Sequence, residues 1–152
     1  MILEQAQKLA IELMTQHGLI VNEAWTWKFE FDNAVRRFGC CKHRSKRITL
    51  SKKLVVLNDE AQVRDTILHE IAHALVGAGH GHDSIWKQKA LSIGCNGERC
   101  YSSKTVAQPE AKFKAICTKC GHTHKRNRRP RNSTSCGVCS KTFDKNAILI
   151  YK

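Results

Sequence analysis

His69-Glu70-Ile71-Ala72-His73 places two imidazoles four residues apart, with a carboxylate directly after the first. On a helix turning about 100° per residue the two histidines fall within roughly 40° of each other. Both can then reach one ion while Glu70 projects beside them. Imidazoles at this spacing suit zinc, and the adjacent carboxylate is placed to take a proton from an attacking water. That combination points to metal-assisted hydrolysis of a peptide bond.

A hydrolytic zinc takes three protein ligands and keeps one position open. The source of the third ligand is the run Gly77-Ala78-Gly79-His80-Gly81-His82-Asp83, whose glycines let the chain turn back and which offers His80, His82 and a carboxylate. The extended pattern HExxHxxGxxH is ruled out, because Val76 and Gly79 stand where it needs glycine and histidine. A downstream glutamate is a poor candidate, since only Glu98 lies between Glu70 and residue 104.

A second metal set lies further along. Cys117-Thr118-Lys119-Cys120 and Cys136-Gly137-Val138-Cys139 are separated by 15 residues, a spacing typical of a zinc ribbon. Four thiolates close a tetrahedron and leave no vertex for chemistry, so Cys117, Cys120, Cys136 and Cys139 are expected to hold a structural zinc. Between the pairs runs His122-Thr123-His124-Lys125-Arg126-Asn127-Arg128-Arg129-Pro130-Arg131. We read it as a cationic loop whose Lys125, Arg126, Arg128, Arg129 and Arg131 contact phosphates with little sequence preference. Cys40, Cys41, Cys95 and Cys100 have no ligand spacing and receive no role; Cys95 and Cys100 flank a turn and could pair.

The charge distribution agrees with that division. The chain carries a formal +13; residues 104–152 hold 12 Lys/Arg against Glu110 and Asp144, which is +10, and residues 1–103 hold 14 against 11, which is +3. A polyanion is the natural partner of the second part. No apolar run of membrane-spanning length occurs, and Met1-Ile2-Leu3-Glu4-Gln5 lacks the features of a signal peptide. A soluble intracellular monomer with no membrane partner is expected, its cysteines reduced.

The elements that must position these groups are legible in part. Ile2, Ala6, Leu9 and Leu13 form a helical stripe over 2–17, flanked by Leu3, Ala10 and Met14. Trp25 to Asp32 alternates with period two, as a strand does, and 37–42 and 47–50 read as further antiparallel strands around a polar loop. A helix from Asp59 to Val76 has Asp59 and Gln62 as its capping box and Ile67, Leu68, Ile71, Ala72 and Leu75 on its apolar side, opposite the histidines. Another runs from Ser84 to Ile93, capped by Asp83 and burying Trp86, Ala90 and Ile93. Residues 112–116 and 142–151 read as strands of the ribbon. The expected organisation is α+β: a metal-binding domain over 1–103, a linker over 104–112, and a four-cysteine zinc ribbon over 113–152.

The run His69–Lys87, HEIAHALVGAGHGHDSIWK, resembles the signature of the SprT-like zinc metalloprotease family. Trp27-Lys28-Phe29, Asn33–Gly39 and Ile48-Thr49-Leu50-Ser51 resemble that family's strands before the metal helix, so the likeness covers most of residues 1–100. It implies a zincin-like, Spartan-like protease domain of helices and a small antiparallel sheet. His69, His73 and His82 would be its zinc ligands and Glu70 its general base. His82 is preferred because the family's third histidine precedes, four positions on, a Trp or Phe, here Trp86; His80 then falls to a supporting or substrate-side place. Asp83 departs from the family's usual glycine. The resemblance also implies one catalytic and one structural Zn²⁺, nonspecific DNA binding through the ribbon, and substrates that are proteins bound or crosslinked to DNA. The alternative is a zinc-dependent nucleic-acid-binding or adaptor protein without turnover, against which the presence of Glu70 speaks.

Overall fold

The computed structural model describes residues 1–22, 26–99 and 106–152. Trp25, Cys100 and positions 104–105 of the expected linker lie outside them. The chain divides into two compact units, Met1–Pro109 and Glu110–Lys152.

The first unit begins with α1 (Leu3–Gln16), followed by β1 (Lys28–Asp32), β2 (Gly39–Lys42) and β3 (Arg47–Ser51). Helices α2 (Lys52–Leu57), α3 (Glu60–Val76) and α4 (Ser84–Ser92) complete it. On α1 the buried positions are Ala6, Ala10, Leu13 and Met14. Ile2 sits at the N-cap and is exposed, so the apolar face is rotated from the expected stripe toward Ala10 and Met14.

The sheet is mixed, with order β1-β3-β2, rather than the small antiparallel sheet expected. β1 runs parallel to β3, pairing Phe29 with Ile48 and Phe31 with Leu50, while β2 is antiparallel to β3, pairing Gly39 with Leu50 and Cys41 with Ile48. The reason lies in residues 33–38, which carry the chain past a central β3 instead of closing a hairpin. Asp32 holds that segment by accepting from the Ala34 N–H and from Arg37. Thr49 Oγ1 also donates to Asp32, and Ser51 Oγ donates to the Ala34 carbonyl. Its last residue, Phe38, is buried in the core.

Ser51 then accepts from the Leu54 N–H and starts α2, a short helix that the two valines of Lys-Lys-Leu-Val-Val-Leu disguise in the sequence. Asp59 caps α3 as expected, its Oδ1 accepting from the Gln62 N–H at 2.9 Å. Val63, Ile67, Leu68, Ile71 and Ala72 of α3 are buried. Leu75, expected on the same side, is 37% exposed. Asn58 ties down the segment that begins at Val106, exchanging hydrogen bonds with both the N–H and the carbonyl of Ala107. Among the described residues no helix is long and apolar enough to cross a membrane.

The second unit holds β4 (Phe113–Ile116) and β5 (Thr123–Arg126), an antiparallel pair. Two expectations change here. Thr123–Arg126, read as loop, is strand, because the turn at Cys117–Gly121 folds the chain back: the Gly121 N–H donates to the Cys117 carbonyl and the Cys117 N–H to that of His122. Residues 142–151, read as strand, contain a 3₁₀ turn at Lys145–Ala147, capped by the Asp144 side chain. Only a bridge from Ser135 to Ile148 and a backbone exchange between Lys114 and Lys152 have sheet character there.

Candidate metal centres

α3 presents His69 and His73 one turn apart, and the loop after it returns His82 to them. Gly77 makes the return possible, since it ends α3 at φ 89°, a conformation that glycine alone adopts at little cost. The three Nε2 atoms stand 3.3 Å (69–73), 3.1 Å (73–82) and 3.0 Å (69–82) apart. Hydrogen bonding cannot account for such a triangle, because a neutral imidazole Nε2 carries either a proton or a lone pair, and no tautomer choice satisfies all three contacts. A cation at the centre would. Ligand atoms about 2.05 Å from a tetrahedral zinc lie about 3.3 Å from one another, so the three residues can hold a metal ion of that kind.

Trp86 of α4 backs the cluster, its ring 4.7, 5.1 and 4.5 Å from those of His69, His73 and His82. The histidine side of α3 is therefore packed against α4 and not left to solvent. His80, the other candidate from the loop, does not join the triangle: its Nδ1 pairs with Asp83 Oδ2 at 2.7 Å. Asp83 Oδ1 meanwhile caps α4 by accepting from the Trp86 N–H. Asp83 thus fixes both the start of α4 and the place of His80, a use that the family's glycine could not serve.

Burial lowers the His69 and His73 pKa values to about 4, helped by the neighbouring imidazoles. His82 is also lowered, by burial and then by Arg99. Unprotonated imidazole, the metal-binding form, is favoured throughout the neutral range. Glu70 is only 7% exposed. Burial pushes its pKa up to about 7, against the backbone N–H of Cys41, which donates to the carboxylate, and the charge of Arg37.

The close neighbour of that carboxylate is a residue to which the sequence reading gave no site role. A Cβ on Gly39 would stand 2.6 Å from Glu70 Oε1, 2.7 Å from its Cγ and 3.0 Å from its Cδ. The strand therefore has no side chain where Glu70 lies. A lone glycine inside a strand-like run signals a close approach of this kind. Cys40 and Cys41 also belong to the site as wall: with Gly39 they line a cleft of ≈ 930 Å³ whose other wall includes Thr66, His69, Glu70 and His73. Burial, and then the Glu70 charge, raises the Cys41 thiol to about 12, which favours its neutral form. Cys95 is likewise buried and raised to about 11.

In the second unit Cys117, Cys120, Cys136 and Cys139 converge. Cys117 and Cys139 sulfurs are 3.8 Å apart and those of Cys120 and Cys136 3.6 Å, against about 3.8 Å for thiolates around a tetrahedral zinc. The backbone N–H of Cys120 draws the Cys117 pKa down, whereas Cys139 is raised by its bond to the Cys120 sulfur and by burial. Four such thiols ionise together only around a cation. His124 Nε2 lies 3.2 Å from Cys136 Sγ, a supporting contact absent from the sequence reading.

Of the five basic residues expected to meet phosphates, two are engaged within the unit. Arg126 Nε donates to the Tyr151 hydroxyl at 2.9 Å, and Arg129 donates to the Tyr151 carbonyl and lies over the Phe113 ring. Lys125, Arg128 and Arg131 are exposed.

Two imidazoles of α3 and a third from the loop after it, together fit for a metal, with a buried carboxylate directly after the first, define a candidate metallohydrolase site. The chain belongs to the SprT-like family, whose model matches residues 10–107, more than half of its length. No curated protein and no solved structure matches it. Family membership is consistent with a metallopeptidase-like role, and both clusters are consistent with zinc. The family match ends before the cysteine cluster, which rests on its own geometry.

Proposed function

We propose that this chain is a zinc-dependent peptidase with a zincin-like domain in its first unit, and that a zinc ribbon in the second brings it to DNA, where it cleaves bound or crosslinked proteins. The observation that carries the hydrolytic part is the convergence of the His69, His73 and His82 Nε2 atoms beside a carboxylate buried in the wall of a cleft. Zinc held there supplies Lewis acidity toward a peptide carbonyl and lowers the pKa of water to about 7. Glu70 takes the proton from the attacking water and returns it to the departing amine, a service worth about 10²–10⁴-fold. Its place in the cleft wall, directly after His69, puts it within reach for both halves of that task. The DNA part follows from the +10 carried by residues 104–152.

The test compares wild type with Glu70→Gln for metal content and for cleavage of a DNA-bound protein, autocleavage included. We expect both forms to retain two zinc ions and the variant to lose cleavage by at least two orders of magnitude. Equal cleavage by the variant would refute the assigned base. Two ions with no cleavage by either form would mark a binding module.

A further inference from the structure

We infer that the ribbon meets nucleic-acid phosphates with a lysine row on the open face of its sheet, Lys125-Lys114-Lys152, and not chiefly with the arginines of the 126–131 segment. This rests on the nucleic-acid reading above and names the surface that serves it.

The row follows from register. Lys114 pairs with Lys125 across β4 and β5. On its other side Lys114 exchanges both backbone hydrogen bonds with Lys152, each at 3.0 Å. A residue that spends its N–H and carbonyl toward one neighbour faces the other across a non-hydrogen-bonded position, where side chains stand closest. Directly opposed residues share a face, so the three lysine side chains leave the backbone side by side at about 4.8 Å per chain segment, a row about 10 Å wide. The other face is spoken for: Ala115, Leu149 and Tyr151 are buried there with Cys117 and Cys136.

Like charges directly opposed destabilise a sheet. Among the described residues the one carboxylate side chain paired with the row is Glu110, 3.6 Å from the Lys114 ammonium and almost fully exposed, which screens little. Such a row is compensated when an anionic polymer lies across it, and about 10 Å covers two to three phosphates of one strand. Ile116 of β4 and Ile150, two residues before Lys152, are 65% and 74% exposed, apolar surface of the kind that sugars and base faces can cover. The engagement of Arg126 and Arg129 with Tyr151 and Phe113 fits the division: those cations brace the sheet whose far face carries the lysines.

The experiment measures binding of the full chain, zinc-loaded, to a short single-stranded and a short duplex DNA over a range of salt. Three forms are compared: wild type, Lys114→Gln/Lys125→Gln, and Arg128→Gln/Arg131→Gln. Zinc content and circular dichroism serve as controls for folding. The lysine pair is expected to reduce the slope of log K against log salt by about two, one for each phosphate that the variant no longer neutralises. A lysine variant that keeps the wild-type slope and affinity, while the arginine variant loses both, would overturn the row and leave DNA binding intact. If wild type binds neither DNA, the nucleic-acid reading itself fails. If instead it binds vesicles of anionic phospholipid, losing that with the lysines, the row serves a membrane surface and the proposal is wrong.

Discussion

The two candidate metal sites of this chain pose opposite problems. Three imidazoles in the first unit leave an ion one vertex short, with a buried carboxylate beside the gap; four thiols in the second complete the shell and have no carboxylate among them. The difference extends to folding. Among the described residues the first unit has a core of nineteen buried residues that includes none of its histidine ligand candidates. In the second, two of the six buried core residues are themselves cysteines of the cluster, Cys117 and Cys136. The first fold has a core apart from its candidate site, whereas the second is expected to depend on its own.

The largest effect should come from attacking the second site. Binding of structural zinc is worth about 10–16 kcal/mol in small metal-stapled modules, more than a core of six residues supplies on its own. Replacing Cys136 by Ser, or stripping metal with a strong chelator, should therefore unfold residues 110–152 while α1, α3 and the mixed sheet persist. Limited proteolysis with mass spectrometry would read this as rapid loss of the second unit and survival of the first. A ribbon that resists protease after chelation would mean that its fold does not depend on metal, and the contrast between the units would vanish.

How much of this was legible in the sequence differs between the sites. The candidate ligand sets could be read because helical period and Cys-x-x-Cys spacing are local facts, fixed within a turn or two of backbone. The choice of His82 over His80 came from resemblance; its physical basis, Asp83 pairing with His80, is a side-chain contact that spacing cannot display. The sheet was misread because the orientation of β1 depends on where a crossover passes, and residues 33–38 announce a turn without announcing its direction. The lysine row was hidden for a similar reason. Lys125 lay in what read as a loop, and Lys152 pairs with Lys114 across a long sequence separation.

A sharper test of the first site goes through Gly39. Its φ is not among the positive values in this chain, so alanine there meets no backbone penalty, and the effect is steric. The added methyl would press on a Glu70 side chain that is itself confined, and the carboxylate must leave its place or β2 must shift. Gly39→Ala should then cost most of what Glu70 contributes, about 10²–10⁴-fold in kcat, with metal content unchanged. The discriminating measurement is the double variant. In a Glu70→Gln background, Gly39→Ala should cost little more, because the group it displaces no longer acts. Full additivity of the two losses would show that Gly39 matters for some other reason.

The smallest effect is a pH dependence of stability in the metal-free protein, and its sign separates the ligands from the base. His69 and His73 have folded pKa values near 4, below their ordinary 6.5. Their contribution is present above pH 6.5 and is lost as pH falls through about 4. Glu70 behaves inversely: its folded value of about 7 exceeds the ordinary 4.5, so its contribution is present below pH 4.5 and lost as pH rises through about 7. A shift of that size bounds the loss at about 3 kcal/mol. Chelated wild type and chelated Glu70→Gln, compared by urea denaturation from pH 4 to 8, should therefore diverge, the wild type losing ground to the variant between about 4.5 and 7 and running parallel above it. Curves that stay parallel across the whole range would mean that the carboxylate is not held in the buried place that the proposed mechanism requires.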